Sequence, residues 1–196
     1  MTTPARIARD SLLTLEAYAR ERSEFRAKVI AHKKSRTVRL GEHITLIFED
    51  ELTIRYQIQE MLRIEKAFEE AGIQDELDAY NPLVPDGSNF KATMLIEYED
   101  ETERRLALAS LRGIEHRVWL RSDECPIVMA VADEDLERAN EVKTSAVHFL
   151  RFELTPAMVA ALKRGMGLSL GIDHPQYHAE LKVGPATLTA LLADLA

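Results

Sequence analysis

The sequence predicts an α+β fold, with a mixed, largely antiparallel sheet and helices packed on it. Three observations lead to this prediction. Apolar residues recur every three or four positions in some segments, which indicates helices, and alternate with polar residues in others, which indicates strands. Glycine and proline separate these segments. The second half of the chain also reads as one order of elements, β-α-β-β, twice over.

The first half of the chain alternates between helix and strand patterns. Four elements are predicted there, in this order: a helix over residues 11–32, strands over 37–40 and 44–48, and a helix over 53–71. Ser11 or Asp10 would cap the first helix at its N-terminus, and Gly72 would end the second. The stretch 75–89 is interrupted by proline and glycine, so we predict a loop there.

The second half reads as two similar units. They comprise strand 92–98, helix 101–112 and strands 116–121 and 127–132, then strand 146–152, helix 156–164 and strands 168–172 and 178–183. Each unit is followed by a helix candidate, over 134–140 and 185–195. We therefore predict internal repeats over 92–140 and 146–195, within a single α+β domain of residues 1–196. The alternative is that two similar units cover a sheet independently.

If the two units correspond, their first strands carry Glu97 and Arg151 at matching positions. We predict that these two strands are neighbours in the sheet. We also predict that Glu97 faces Arg151 as a charge pair, since alternation places each on one face of its strand.

The composition argues against several kinds of protein. With 46% hydrophobic and 30% charged residues, the chain is ordinary for a globular protein. Its net charge of −8 argues against general nucleic-acid binding. The single cysteine, Cys125, excludes an internal disulfide and a four-cysteine iron–sulfur site within one chain. No apolar run approaches the roughly 20 residues that cross a bilayer, so we expect no membrane span and a cytoplasmic location.

Glu65 is an unusual residue in the predicted helix 53–71. With Tyr56 set at 0°, the apolar side chains of this helix lie between about 120° and 240°, and Glu65 lies at about 180°. A carboxylate on a buried face needs a cation, a metal or a proton. We therefore regard Glu65 as a candidate metal ligand or as one half of a buried ion pair.

Three histidines complete a candidate metal site. His148 lies on the apolar face of its predicted strand, and together with Glu65 it would suit iron, manganese or zinc. His174 and His178 are four residues apart and follow Asp173. Each histidine also has a structural interpretation, as a hydrogen-bonded core residue or as part of a turn.

The polar face of the helix 53–71 is the candidate for a small-molecule site. Its members are Tyr56, Gln57, Glu60 and Arg63, which would orient a ligand if a pocket lay beside them. The sequence contains none of the common metal, nucleophile or phosphate-loop motifs. The basic segment 26–39 is either a solvated helix end or a contact for an anion, a partner or RNA.

Five segments together resemble an uncharacterised bacterial family that is known only as a domain of unknown function. They are FEDELTIRYQIQEMLRIE, ELDAYNPLVPD, ATMLIEY, KTSAVHFLRFEL and GIDHPQY. The resemblance covers almost the whole chain and implies no catalytic residue. Proteins of this kind are encoded beside rubrerythrin-like proteins and iron–sulfur oxidoreductases that resemble a heterodisulfide reductase subunit. The resemblance therefore implies a role in redox or peroxide stress.

Two main functions are consistent with these observations, beside small-molecule binding or metal-free catalysis at the polar face of the helix 53–71. The first is a non-catalytic accessory protein that binds a rubrerythrin-like or iron–sulfur redox partner, through an exposed apolar patch or through the basic segment. The alternative is a metal-binding enzyme or sensor that uses the Glu/His set, and it requires at least three of these ligands to converge on one cavity.

Overall fold

The computed structural model describes residues 6–123, 125–135, 138–140 and 142–196. These residues form six α-helices: α1 (Leu15–Lys34), α2 (Glu51–Glu65), α3 (Glu70–Tyr80), α4 (Glu101–Ser110), α5 (Pro156–Lys163) and α6 (Pro185–Leu192). They also form nine strands: β1 (Thr37–Leu40), β2 (Ile44–Glu49), β3 (Asn89–Ile96), β4 (Val118–Ser122), β5 (Val128–Met129), β6 (Val131–Ala132), β7 (Val147–Glu153), β8 (Leu168–His174) and β9 (Tyr177–Lys182). The predicted α+β fold class is confirmed.

The strands form two sheets. One has the order β1-β2-β3-β7-β6 and the other the order β5-β4-β8-β9. All neighbouring strands among the described residues are antiparallel, whereas the sequence predicts a single sheet with some parallel pairing. The segment 128–132 leaves the second sheet as β5 and enters the first as β6, so the two sheets meet there. On the other side, the Tyr177 hydroxyl of β9 donates to the Leu40 carbonyl of β1 at 2.6 Å.

The main hydrophobic core is formed by the inward faces of both sheets. Alternation along the strands places Phe48, Phe90 and Phe152 on one inward face, where all three are fully buried. The ring centroid of Phe48 lies 6.1 Å from that of Phe90 and 6.4 Å from that of Phe152. Helices α4, α5 and α6 contribute leucine and methionine side chains to the same cluster. This cluster holds the two sheets together.

The predicted helix 53–71 is two helices in the structure. α2 begins after Asp50, whose side chain accepts a hydrogen bond from the Thr53 N–H as part of a capping box. It ends at Glu65 because Lys66 adopts a left-handed conformation with a φ of 54°.

α3 follows at once, and it runs through Gly72. The prediction that this glycine ends a helix is therefore wrong, and the first part of the predicted loop 75–89 is helical. A glycine inside a helix costs about 1 kcal/mol relative to alanine. The burial of Ile73 and Leu77 in a second apolar cluster, shared with α2, offsets this cost.

The two predicted β-α-β-β units are arranged symmetrically. β3 lies beside β7 at the centre of one sheet, and β4 lies beside β8 at the centre of the other. The internal duplication itself stays a prediction. The predicted strand 127–132 is divided between β5 and β6, and residues 134, 135 and 138–140 are not helical, although the sequence predicts a helix over 134–140. Residues 136 and 137 of that predicted helix lie outside the described residues.

The predicted pair of Glu97 and Arg151 does not form. β3 and β7 are neighbours, as predicted, but they are antiparallel, so Arg151 lies opposite Lys91. Glu97 is six residues further along the chain, or roughly 20 Å away along the strand. Arg151 pairs instead with Glu134 at 2.8 Å and with Glu153 at 2.7 Å. Because β3 and β7 run in opposite directions, residues at matching positions near the ends of the two strands lie far apart.

Helix α1 begins later than predicted. Thr14, rather than Ser11 or Asp10, is the N-cap, and its hydroxyl accepts a hydrogen bond from the Ala17 N–H at 3.2 Å.

Although α1 has 20 residues, neither it nor any other helix among the described residues is apolar enough to cross a membrane.

Candidate functional site

Glu65 does not lie on a buried face. It is the last residue of α2 and is exposed to solvent, because the buried face of this helix ends at Leu62. Burial raises the pKa of Glu76 on α3, and the nearby carboxylate of Glu65 raises it further. The expectation that Glu65 is buried, and with it the buried ion pair, is therefore wrong, while its role as a metal ligand stays a prediction.

His148 lies in the core on β7 and is fully buried. Its Nδ1 lies 2.5 Å from Asp133 Oδ2, and its Nε2 lies 2.8 Å from Thr144 Oγ1 and 3.0 Å from the Ser145 carbonyl. The Thr144 hydroxyl donates to Glu115 Oε2 at 3.0 Å, so its oxygen must accept from the ring. Both ring nitrogens therefore donate, which leaves no lone pair for a metal ion. This arrangement matches the structural interpretation of His148.

The other two histidines belong to the β8–β9 hairpin. His174 Nε2 donates to the Arg112 carbonyl at 3.1 Å, and its Nδ1 accepts from the Gln176 N–H at 3.2 Å. His178 lies opposite Asp173 in the hairpin, on the other face from His174, and its side chain is exposed. The predicted metal ligands therefore do not converge. Among the described residues, no group of three or more His, Cys, Asp or Glu side chains is arranged to hold a metal ion.

The predicted ligand-binding residues are divided between two sides of α2. Glu60 accepts two hydrogen bonds from the Arg22 guanidinium of α1, at 2.7 and 2.8 Å, and one from the Tyr18 hydroxyl at 2.7 Å. Arg63 adds a longer contact to the same carboxylate at 3.3 Å. Tyr56 packs edge-on against a phenylalanine of α1, while Gln57 faces a separate cavity. Glu60 thus joins α1 and α2. In the sequence, this contact is indicated only by Tyr18 and Arg22, which lie four residues apart on one face of α1.

The Glu60 pair predicts how stability responds to acid. The bond from Arg22 holds the pKa of Glu60 at about 2, below its usual value of 4.5. A lowered pKa stabilises the fold above about pH 4.5, and this stabilisation is lost as the pH falls towards about 2. Since Arg22 is partly solvated, we expect Glu60→Gln to cost about 1–2 kcal/mol at pH 7. Urea unfolding would measure this.

A matched control for Glu60 is Glu51→Gln, because Glu51 forms a more exposed pair with Arg55 on the same helix. The difference in stability between wild type and Glu60→Gln should shrink between pH 5 and pH 3. A difference that stays constant over this range would show that Glu60 contributes packing rather than charge.

Three large apolar side chains form an exposed row on the segment that joins the two sheets. This apolar row consists of Ile127, Met129 and Val131, whose side chains point outward at every second position. They are 48%, 45% and 41% exposed. Contiguous apolar side chains on a surface are typical of contact sites for other molecules.

Arginines flank the apolar row. Met129 lies opposite Trp119 of β4, and the Arg121 guanidinium lies 5.6 Å from the centre of the Trp119 ring. Val131 lies opposite Arg151 of β7. An apolar centre with arginine at its margin is common in protein interfaces. The sequence does not reveal this exposure, because every residue from 127 to 132 is apolar, a pattern usually found in strands buried on both faces.

The comparisons with known proteins agree with the resemblance seen in the sequence. A search of curated proteins gives no match for the chain. A crystal structure at 1.90 Å resolution of a protein of unknown function from Burkholderia pseudomallei is 62% identical, with a TM-score of 0.93, and the match covers 98% of this chain and 100% of that one. The profile of a family described as "Protein of unknown function (DUF3501)" matches residues 6–195. The chain therefore belongs to the DUF3501 family, whose function is unknown.

Proposed function

We propose that this protein is a non-catalytic accessory protein that docks on a redox partner through the apolar row. The observation that carries the proposal is the exposure of Ile127, Met129 and Val131 along the segment that joins the two sheets. The class of partner rests on the resemblance to proteins encoded beside rubrerythrin-like and iron–sulfur proteins. The role in redox or peroxide stress rests on the same resemblance.

The apolar row has the properties of the centre of a small interface. β4 pairs with the backbone of Met129 and β7 with that of Val131, so these two side chains have little backbone freedom to lose on binding. Each is about half exposed, so complete burial would contribute roughly 1 kcal/mol per side chain. The sum of roughly 3 kcal/mol is smaller than the cost of association, so a transient contact also requires polar contacts from the surrounding arginines.

Direct binding to the proposed partners tests this function. The rubrerythrin-like and the iron–sulfur protein of the same organism would each be purified and titrated against this protein by isothermal calorimetry. We expect one of them to bind, and we expect the double variant Met129→Lys/Val131→Lys to weaken binding at least tenfold, because docking would bury two charged groups.

The control for the apolar row is Leu106→Lys. Leu106 is an exposed apolar residue on α4, outside the row, and it tests whether any added charge weakens binding. The proposal fails if neither redox protein binds, or if the row variant binds as tightly as the control.

A further inference from the structure

A separate cavity lies on the outer face of the five-stranded sheet, beneath α1 and α2. Its volume is about 230 Å³. Strands β2, β3 and β7 form its floor, and Gln57 of α2 is part of its wall. None of the residues of the apolar row lines this cavity. A ligand here would therefore leave the proposed docking surface free.

Glu49 is the unusual group in this cavity. It ends β2 and is 7% exposed. Its Oε1 accepts a hydrogen bond from the Thr93 hydroxyl at 2.6 Å, and the described residues provide no other hydrogen bond and no cation within 4.0 Å of the carboxylate. A buried carboxylate without a cation costs several kcal/mol. A positively charged ligand beside this carboxylate would therefore be stabilising.

The rest of the cavity suits a small aliphatic molecule. Ile47, Ile54 and Phe149 provide apolar walls, while Gln57 and Tyr80 bring polar groups to the same space. A mostly apolar cavity with a few converging polar groups is the usual form of a small-molecule site. At about 30 Å³ for each water-sized group, the volume accommodates roughly seven or eight non-hydrogen atoms.

Lys33 of α1 also lines the cavity. Its ammonium group does not reach within 4.0 Å of any carboxylate among the described residues, Glu49 included. The cavity is thus lined by one acidic and one basic residue whose charged groups are not paired with each other. A ligand that carries both charges would satisfy both groups.

We propose that this cavity binds a small aliphatic molecule with a primary ammonium group, and that Glu49 is its anionic anchor. The ligand ammonium replaces the missing cation beside Glu49, and a carboxylate on the same ligand pairs with Lys33. The chemical class that meets these conditions is an ω-amino acid of about eight non-hydrogen atoms.

The test uses three probes of similar length that differ in charge. They are 5-aminopentanoate, pentylammonium and pentanoate, each titrated into the full chain with ¹⁵N–¹H correlation spectra as the readout. We expect saturable shifts at the amides of Gln57 and Thr93 with 5-aminopentanoate, binding about tenfold weaker with pentylammonium, and no saturation with pentanoate. Glu49→Gln should weaken the binding of both amines at least tenfold.

The matched control is Glu97→Gln. Glu97 accepts a hydrogen bond from the Thr45 hydroxyl at 2.6 Å, just as Glu49 does from Thr93, but it is exposed and lies outside this cavity. We expect this variant to bind 5-aminopentanoate like the wild type. Glu49→Gln should also melt no earlier than the wild type, since it removes a buried charge and keeps the bond from Thr93.

Three results would overturn the proposal. The same amide shifts with pentanoate would make Lys33 the anchor of an anion. Unchanged amine binding by Glu49→Gln would place the amine elsewhere. The absence of saturable shifts with all three probes would show that the cavity binds no such ligand. A lower melting temperature for Glu49→Gln in that case would mean that Lys33 neutralises Glu49 within the protein.

Discussion

Replacing Arg36 by methionine is expected to lower the free energy of unfolding by about 4–5 kcal/mol at pH 7. Arg36 follows α1 and is 1% exposed, although the sequence places it in a basic segment that resembles a solvated helix end. Methionine fills a similar volume, so the loss would come from the polar groups that the guanidinium now satisfies.

Arg36 joins three parts of the chain. Its guanidinium donates to the carbonyls of Phe48 at 3.0 Å, Glu49 at 3.2 Å and Ala190 at 3.1 Å. It also contacts the carboxylate of Asp194, just beyond α6. Without Arg36, three carbonyls lose a donor, and two carboxylates lose a cation: that of Asp194 and that of Asp50, which lies 3.4 Å from the guanidinium.

The carboxylate of Asp194 gives the Arg36 prediction a pH dependence. Burial raises the pKa of Asp194 to about 6, against the opposing attraction of Arg36. Without Arg36 the pKa would rise further, and a raised carboxyl pKa destabilises the fold as the pH increases. The loss caused by Arg36→Met should therefore be larger at pH 8 than at pH 5.

Urea unfolding at both pH values measures the effect of Arg36→Met, and Arg39→Met is its control. Arg39 is exposed and, among the described residues, donates only to the Glu42 carbonyl, so its replacement should cost less than about 1 kcal/mol. Equal losses for the two variants would show that Arg36 is not a structural centre. A loss that does not change with pH would exclude Asp194 as the group responsible.

Much of the fold can be predicted from local patterns. The strands at 37–40 and 44–48 are found where alternation predicts them, because the turn at Gly41 adopts a φ of 74° that glycine favours. The division into two sheets is not predictable in this way. It depends on the segment 128–132 changing from one sheet to the other, and both sides of that change are equally apolar.

The candidate sites are harder to predict, because their partners come from distant parts of the chain. Helical periodicity places Glu65 on the apolar arc, but the helix ends there and its last turn extends past the elements that cover it. Glu49 is the opposite case. It lies at the end of a strand, where charged residues are common, but it is buried because a helical layer covers that face of the sheet. Neither the exposure of Glu65 nor the burial of Glu49 can be recognised from the neighbouring residues in the sequence.

Asp133→Asn is expected to lower the free energy of unfolding by about 3–4 kcal/mol. Asp133 has a φ of 51°, a conformation that asparagine tolerates, so the backbone should be preserved. Its Oδ1 accepts the Phe149 N–H at 3.0 Å, and an amide oxygen can keep this bond. The variant loses the negative charge beside the buried ring of His148. The N–H of the new amide would also face the ring N–H, so no hydrogen bond could form between them.

The control for this prediction is Asp135→Asn. Asp133 and Asp135 both pair with Arg138, at 3.3 and 2.6 Å, but Asp135 is exposed, so its replacement should cost less than about 1 kcal/mol. If His148 were a metal ligand instead, the stability of the wild type would fall on treatment with EDTA, and Asp133→Asn would be less sensitive to it. We expect EDTA to change neither protein, because both nitrogens of His148 are already committed to Asp133 and to oxygens of residues 144 and 145. Equal stabilities of the Asp133 and Asp135 variants would contradict this assignment, since they would mean that the buried ring of His148 does not depend on the Asp133 carboxylate.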